Sequence, residues 1–217
     1  MKRRPMGLPG LLAALALLAL PSLQAAPPAP QPETLKAPGE FDAIADPAAR
    51  SAAIFLEAGK VIQSPRCLNC HPSARVPTQG ENLHTHVPYL QAGQSGKGQP
   101  GLRCTACHQA ANVNTQGASI ASIPGHPGWH LAPASMAWQG RSLADICKQI
   151  KDPALNGGMN LEKVHKHMAD DPLVGWAWHP GEGRKPAPGT QKEFGRLIQA
   201  WIATGAVCPG GIERVSR

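Results

Sequence analysis

Four stretches of the chain carry apolar residues at helical spacing, and Gly- and Pro-rich segments separate them. Asp46 followed by Pro47 predicts a helix start; Ile54, Phe55 and Ala58 share its inner face, and Gly59 predicts its end. Ser142 with Asp145 forms a capping pattern ahead of Leu143, Ile146, Cys147 and Ile150, which fall on one face. Asn160 can cap a third helix that groups Leu161, Val164, His165 and Met168, with His167 on one flank. Thr190 to Glu193 is a capping box; Phe194, Leu197, Ile198, Trp201 and Ile202 then follow at i, i+3, i+4, i+7 and i+8, and Gly205 predicts the stop.

The remaining segments lack such order. Gln63-Ser64-Pro65-Arg66 reads as a loop, and between residues 72 and 103 Gly80, Gly93, Gly96, Gly98 and Gly101 leave neither a helical nor a strand period. The predicted fold class is mainly α with long Gly/Pro-rich loops and little or no β-sheet. A length of 217 residues predicts one domain or two small ones. Aromatic residues make up only 4% of the chain, thin for an ordinary core.

The N-terminus carries a positive Lys2-Arg3-Arg4, an apolar run from Leu11 to Leu20, and small residues in Pro21-Ser22-Leu23-Gln24-Ala25-Ala26. This is the pattern of a secretory signal, residues 1–25, with cleavage after Ala25 because Pro27 disfavours a cut after Ala26. The run is too short to span a bilayer without its flanks, and no Cys follows it to take a lipid. An uncleaved anchor is the competing reading. Residues 26–45, rich in Pro, predict a flexible linker; residues 46–208 form the expected domain, and 209–217 a tail.

Within that domain one pentapeptide occurs twice: Cys67-Leu-Asn-Cys70-His71 and Cys104-Thr-Ala-Cys107-His108. Cys-x-x-Cys-His spacing lets two thiols add to the two vinyl groups of one haem while the adjacent histidine lies under the iron. A zinc ribbon separates its Cys pairs by roughly 15–20 residues and gives no reason for a histidine after each pair. A thioredoxin-like pair needs a strand leading into it. The expected cofactors are therefore two covalently attached c-type haems: Cys67, Cys70 and His71 hold one, and Cys104, Cys107 and His108 the other. The haem-binding part spans about residues 60–138 and a helical part about 139–208. Two buried porphyrins also supply the apolar mass that the scarce aromatics do not.

Distal iron ligands are less constrained. His84 and His86 point the same way in an extended segment, and His86, beside the stiffening Pro88, is the preferred candidate. Prolines also fix the backbone around His130, the second candidate, with Met136 as its rival because Met/His ligation is common in cytochromes c. His126 reads as part of a solvent-facing turn. His165, His167 and Met168 read first as side chains of a packed helix and rank as ligands only after His86 and His130. Trp176-Ala-Trp178-His179-Pro180-Gly181 predicts a rigid aromatic turn packed on a haem face or a helix.

Cys147 and Cys208 are the remaining cysteines, one on an apolar helix face and one beyond the last helix, and are expected to form a disulfide in an oxidising compartment. The formal net charge of +7 suggests nucleic acid only before processing. Removing the leader leaves 18 basic against 14 acidic residues, a net of +4, and haem propionates lower it further, so nucleic acid is not an expected partner.

Residues 67 to 208 resemble the small periplasmic dihaem c-type cytochromes found alongside isoquinoline 1-oxidoreductase-like molybdenum hydroxylases. The resemblance rests on both haem motifs, Gly101 to Cys104, Trp129-His130-Leu131-Ala132-Pro133 with Met136 and Trp138, Ile150-Lys151-Asp152-Pro153 with Asn156-Gly157-Gly158, and Pro186-Ala-Pro-Gly189-Thr190. It implies electron transfer, with a partner dehydrogenase as electron donor. The expectation is thus a periplasmic, dihaem cytochrome c-like carrier of single electrons rather than an enzyme, with no transmembrane anchor after processing. Two alternatives remain. One is a peroxidase-like or small-molecule-reducing enzyme with one open iron; the other is a haem-based sensor.

Overall fold

The computed structural model describes residues 33–116 and 120–210. The leader, residues 26–32 of the linker and residues 211–217 of the tail lie outside the described residues. The described residues form one compact unit, and their regular structure is mainly helical.

Helix α1 spans Pro47–Ile62, with Asp46 accepting from the Ala48 N–H at 3.1 Å. It does not stop at Gly59 as predicted. A Cβ at Gly59 would lie 2.3 Å from Leu143 Cδ2, so this glycine admits a neighbouring helix instead of ending its own. Helix α2, Pro65–Leu68, replaces the loop expected before the first motif. Pro65 occupies the first helical position and the Leu68 N–H donates to the Ser64 carbonyl at 3.0 Å.

The Gly-rich middle folds into antiparallel pairs of two-residue strands. Thr78–Gln79 (β1) pairs with His84–Thr85 (β2), Gly98–Gln99 (β3) with Leu102–Arg103 (β4), and Val113–Asn114 (β5) with Ser122–Ile123 (β6). The pairs are too short for hydrophobic alternation to reveal them.

Helices α3 (Leu143–Lys151), α4 (Leu161–Asp170) and α6 (Gln191–Ala203) start at the predicted caps Ser142, Asn160 and Thr190. A four-residue helix α5, Pro172–Gly175, and a 3-10 turn at Trp176–Trp178 join α4 to the segment before α6. Helix α6 organises the core by packing against both α1 and α4. Its Phe194, Leu197, Ile198 and Trp201 are almost fully buried, each contributing about 1.5–3 kcal/mol by leaving water. Trp201 meets Phe55 of α1 at a ring separation of 4.8 Å.

The chain beyond α6 is pinned back onto this core. Ser51 Oγ donates to the Trp201 carbonyl at 3.1 Å and accepts from the Val207 N–H at 3.0 Å. Lys151 Nζ donates to the Ala206 carbonyl at 2.7 Å, and Cys147 of α3 is bonded to Cys208. At the other end, Glu57 accepts from the Lys36 N–H at 3.0 Å and pairs with Lys60 at 2.9 Å. Burial would raise the Glu57 pKa, but the bonds from Lys60 and the Lys36 N–H outweigh it and hold the carboxyl below its ordinary value. No helix among the described residues is long and apolar enough to cross a membrane.

Two stability predictions follow from these ties. The double variant C147A/C208A should lose about 2–4 kcal/mol in denaturant unfolding, because the bridge closes a loop across 61 positions. Glu57 has a depressed folded pKa, so its contribution is present at neutral pH and disappears as pH falls through the carboxylate range. E57Q should therefore unfold more easily than wild type at pH 7, and the gap should close in melts recorded at progressively more acidic pH.

Candidate functional site

The first motif begins on α2. The Cys70 N–H donates to the Cys67 carbonyl at 3.0 Å and the His71 N–H to the same carbonyl at 3.1 Å, turning Cys67, Cys70 and His71 onto the wall of one cavity. Its volume of about 360 Å³ lies in the range of ligand and cofactor sites, and its lining is largely apolar, including Met159, Val164, Val174 and Phe194. Burial pushes the Cys67 thiol up to about 12 and the Cys70 thiol to about 11, so the cavity favours uncharged sulfur.

His71 is held on two sides. Its Nδ1 lies 2.7 Å from the Met136 carbonyl, and because a carbonyl can only accept, Nδ1 must carry the proton. That leaves the Nε2 lone pair for another partner. Trp138 stacks on the ring at 3.5 Å, and the Trp138 N–H donates to the His71 carbonyl at 2.9 Å. Burial pushes the His71 pKa down to about 4; the bond to Met136 acts against this and the nearby His167 adds to it. The imidazole is therefore neutral at physiological pH, the form that ligates metals.

The second motif repeats the arrangement on a 3-10 turn, Cys104–Ala106. His108 is buried and its Nδ1 donates to the Pro124 carbonyl at 2.8 Å, again leaving Nε2. Gly125 supports this contact: a Cβ there would lie 1.9 Å from the Ala111 carbonyl oxygen, and the Gly125 N–H donates to Asn112 Oδ1 at 2.9 Å. Trp129 stacks on His108 at 4.6 Å. Burial lowers the His108 pKa, the Pro124 bond opposes it, and His86 and Arg184 lower it further.

His86 faces this second site. Its ring centroid is 5.9 Å from that of His108, and its Nδ1 is occupied by the Pro88 carbonyl at 2.9 Å. Two imidazoles on opposite sides of one metal, each bonded at roughly 2 Å, have centroids roughly 6–6.5 Å apart. Cys104, His86 and His108 line a cavity of about 90 Å³, whereas Cys107 is exposed beside it.

Arg66, Cys70, His130 and Trp176 line both cavities, so the partition between them is about one side chain thick. Arg66 is only 3% exposed; its Nη2 donates to Glu81 at 2.7 Å, while its buried Nε has no partner among the described residues. Burial lowers its pKa and Glu81 opposes the shift. Trp138 Nε1 is a second buried donor without a partner on the first cavity. Trp176 is fixed by Asn112, whose Oδ1 accepts from its Nε1 at 2.9 Å.

The remaining histidines and methionines singled out in the sequence scatter. His84 is exposed and bonded to the Thr85 carbonyl, and His126 Nδ1 accepts from the Gly128 N–H at 3.0 Å. His130 stands in the partition with its Nδ1 bonded to the Gly128 carbonyl, and Met136 and Met168 line the first cavity. His167, weighed as a ligand but ranked below His86 and His130, also lines the first cavity. The available sequence signal was Asp171 four positions later, one turn along, now 2.9 Å from His167 Nδ1. Arg66 carried no such signal, because its partner Glu81 is 15 positions away across a loop.

The chain was compared with protein-family models, curated proteins and solved structures, and no match was found.

Arg66 is a buried cation with a half-exposed partner. E81Q should destabilise the protein by about 1–3 kcal/mol in denaturant titration, since it removes a charge-assisted bond and leaves the guanidinium unneutralised. R66M should cost less than E81Q, because it removes the buried charge as well.

Proposed function

We propose that this chain is a dihaem c-type cytochrome that passes single electrons between periplasmic redox proteins, a dehydrogenase being the natural donor class. The observation that carries the reading is the repeated histidine geometry. In each Cys-x-x-Cys-His motif the histidine stands on a cavity wall with Nδ1 committed to a backbone carbonyl and Nε2 left free. Bound there, a haem supplies a one-electron iron couple whose potential its axial ligands set.

The residues fit that group. Cys67 and Cys70 sit where sulfur is favoured uncharged, as it is in a thioether. His71 and His108, oriented by Met136 and Pro124, would ligate the iron of their respective haems through Nε2, and His86 would be the second ligand at the His108 site. The unpartnered donors Arg66 Nε and Trp138 Nε1 suit an anionic substituent such as a propionate. The narrow partition of Arg66, Cys70, His130 and Trp176 favours direct exchange between the two centres. Exposed Val87, Tyr89 and Leu102 flank His86 and Cys104 in sequence, supporting protein docking near the second haem.

The test is haem content and ligand access of protein matured with haem. Mass spectrometry and the pyridine haemochrome should give two covalent haems per chain, one lost in C67A/C70A and the other in C104A/C107A. Carbon monoxide should leave the reduced wild-type spectrum unchanged and bind one haem in H86A. A chain without covalent haem would exclude the cytochrome reading, and a carbon monoxide-reactive wild type would favour the enzyme with one open iron.

A further inference from the structure

The geometry points to His167, on helix α4, as the second axial ligand of the iron held by His71, with Asp171 as its positioning residue. This rests on the dihaem reading above. His71 and His167 line the same cavity. His167 Nδ1 is 2.9 Å from Asp171 Oδ2, leaving Nε2 as the remaining ring nitrogen. A carboxylate behind a ligating histidine fixes the tautomer and ring orientation and raises the basicity of the ligating nitrogen.

Asp171 is itself immobilised. Its Oδ1 caps α5 through the Leu173 N–H at 2.9 Å, and its carbonyl accepts from Gln191 Nε2 at 3.0 Å. One carboxylate therefore closes α5, whose Leu173 and Val174 line the cavity, and aims His167. A ligand on a helix braced in this way is better preorganised than one on a loop.

The rivals are less well disposed. His130 lines both cavities, so it stands in the partition and not opposite His71 alone. The Met136 carbonyl holds His71 Nδ1, which anchors that residue behind the imidazole. Met168 also lines this cavity, but its thioether offers no second polar atom for a carboxylate to orient, as Asp171 orients His167.

The experiment uses the matured two-haem protein, with low-temperature paramagnetic resonance of the oxidised form and carbon monoxide difference spectra of the reduced form. H167A should turn one haem of the two high-spin and reactive to carbon monoxide, and added imidazole should restore the low-spin signal. Because H167A also alters a helix, H167M provides a second variant that retains a ligating side chain. H167M should keep six-coordination but gain the near-infrared charge-transfer band of a thioether ligand. D171N should leave both haems low-spin and raise the midpoint potential of one, since a less basic imidazole stabilises ferric iron less. If the wild type carries two haems but H167A stays low-spin and H167M keeps the wild-type spectrum, this assignment is overturned while the dihaem reading stands. If H130A or M168A opens that iron instead, the ligand is that residue. A wild type without covalent haem overturns both.

Discussion

His71 and His108 each give the Nδ1 proton to a backbone carbonyl from a distant segment, Met136 and Pro124 respectively. Much of the architecture serves to keep those two carbonyls still. Around Met136, the Ala132 N–H donates to the Cys70 carbonyl, the Trp138 and Gln139 N–H groups to the His71 carbonyl, and the Gln139 side chain to Leu68 and Thr78. Arg75 adds bonds to the Ala132 and Gly93 carbonyls. Around Pro124, Asn112 gathers the Gly125 N–H, the Trp176 indole and the His179 carbonyl. The loops thus owe their shape to polar ties more than to a hydrophobic face.

That division of labour explains what could be read in advance. Helices α3, α4 and α6 were legible because cap residues and apolar stripes are local signals, and Cys147 with Cys208 because they are the two cysteines left over. The two Cys-x-x-Cys-His motifs stood out because each is complete within five residues. Gly59 misled because a glycine that ends a helix and one that admits a neighbour look alike until Leu143 is in place. The pairing of His86 with His108 was only half visible: Pro88 marked His86 as stiffened, but nothing local linked it to the second motif instead of the first. His167 was discounted because helical periodicity ranks a residue by its face, and the wall of a cavity is a face that periodicity cannot distinguish from packed core.

Arg66 illustrates a further limit. A buried guanidinium is costly unless neutralised, and here Glu81 meets it at Nη2 while its Nε finds no partner among the described residues. Such a residue sits poorly in a purely structural account and well in one where a ligand carries negative charge. Trp138 Nε1, also unpartnered, points the same way on the cavity that contains His71.

The first cavity draws its wall from residues spread between Ile62 and Phe194, and α6 contributes one of its last pieces. A chain made N-terminus first therefore presents Cys67 and Cys70 before the helix that completes the cavity has emerged. Access to these thiols is governed by time as well as by space. Any group attached to them would have to enter while α4 and α6 are still undocked, and completion of the core would then seal it in place.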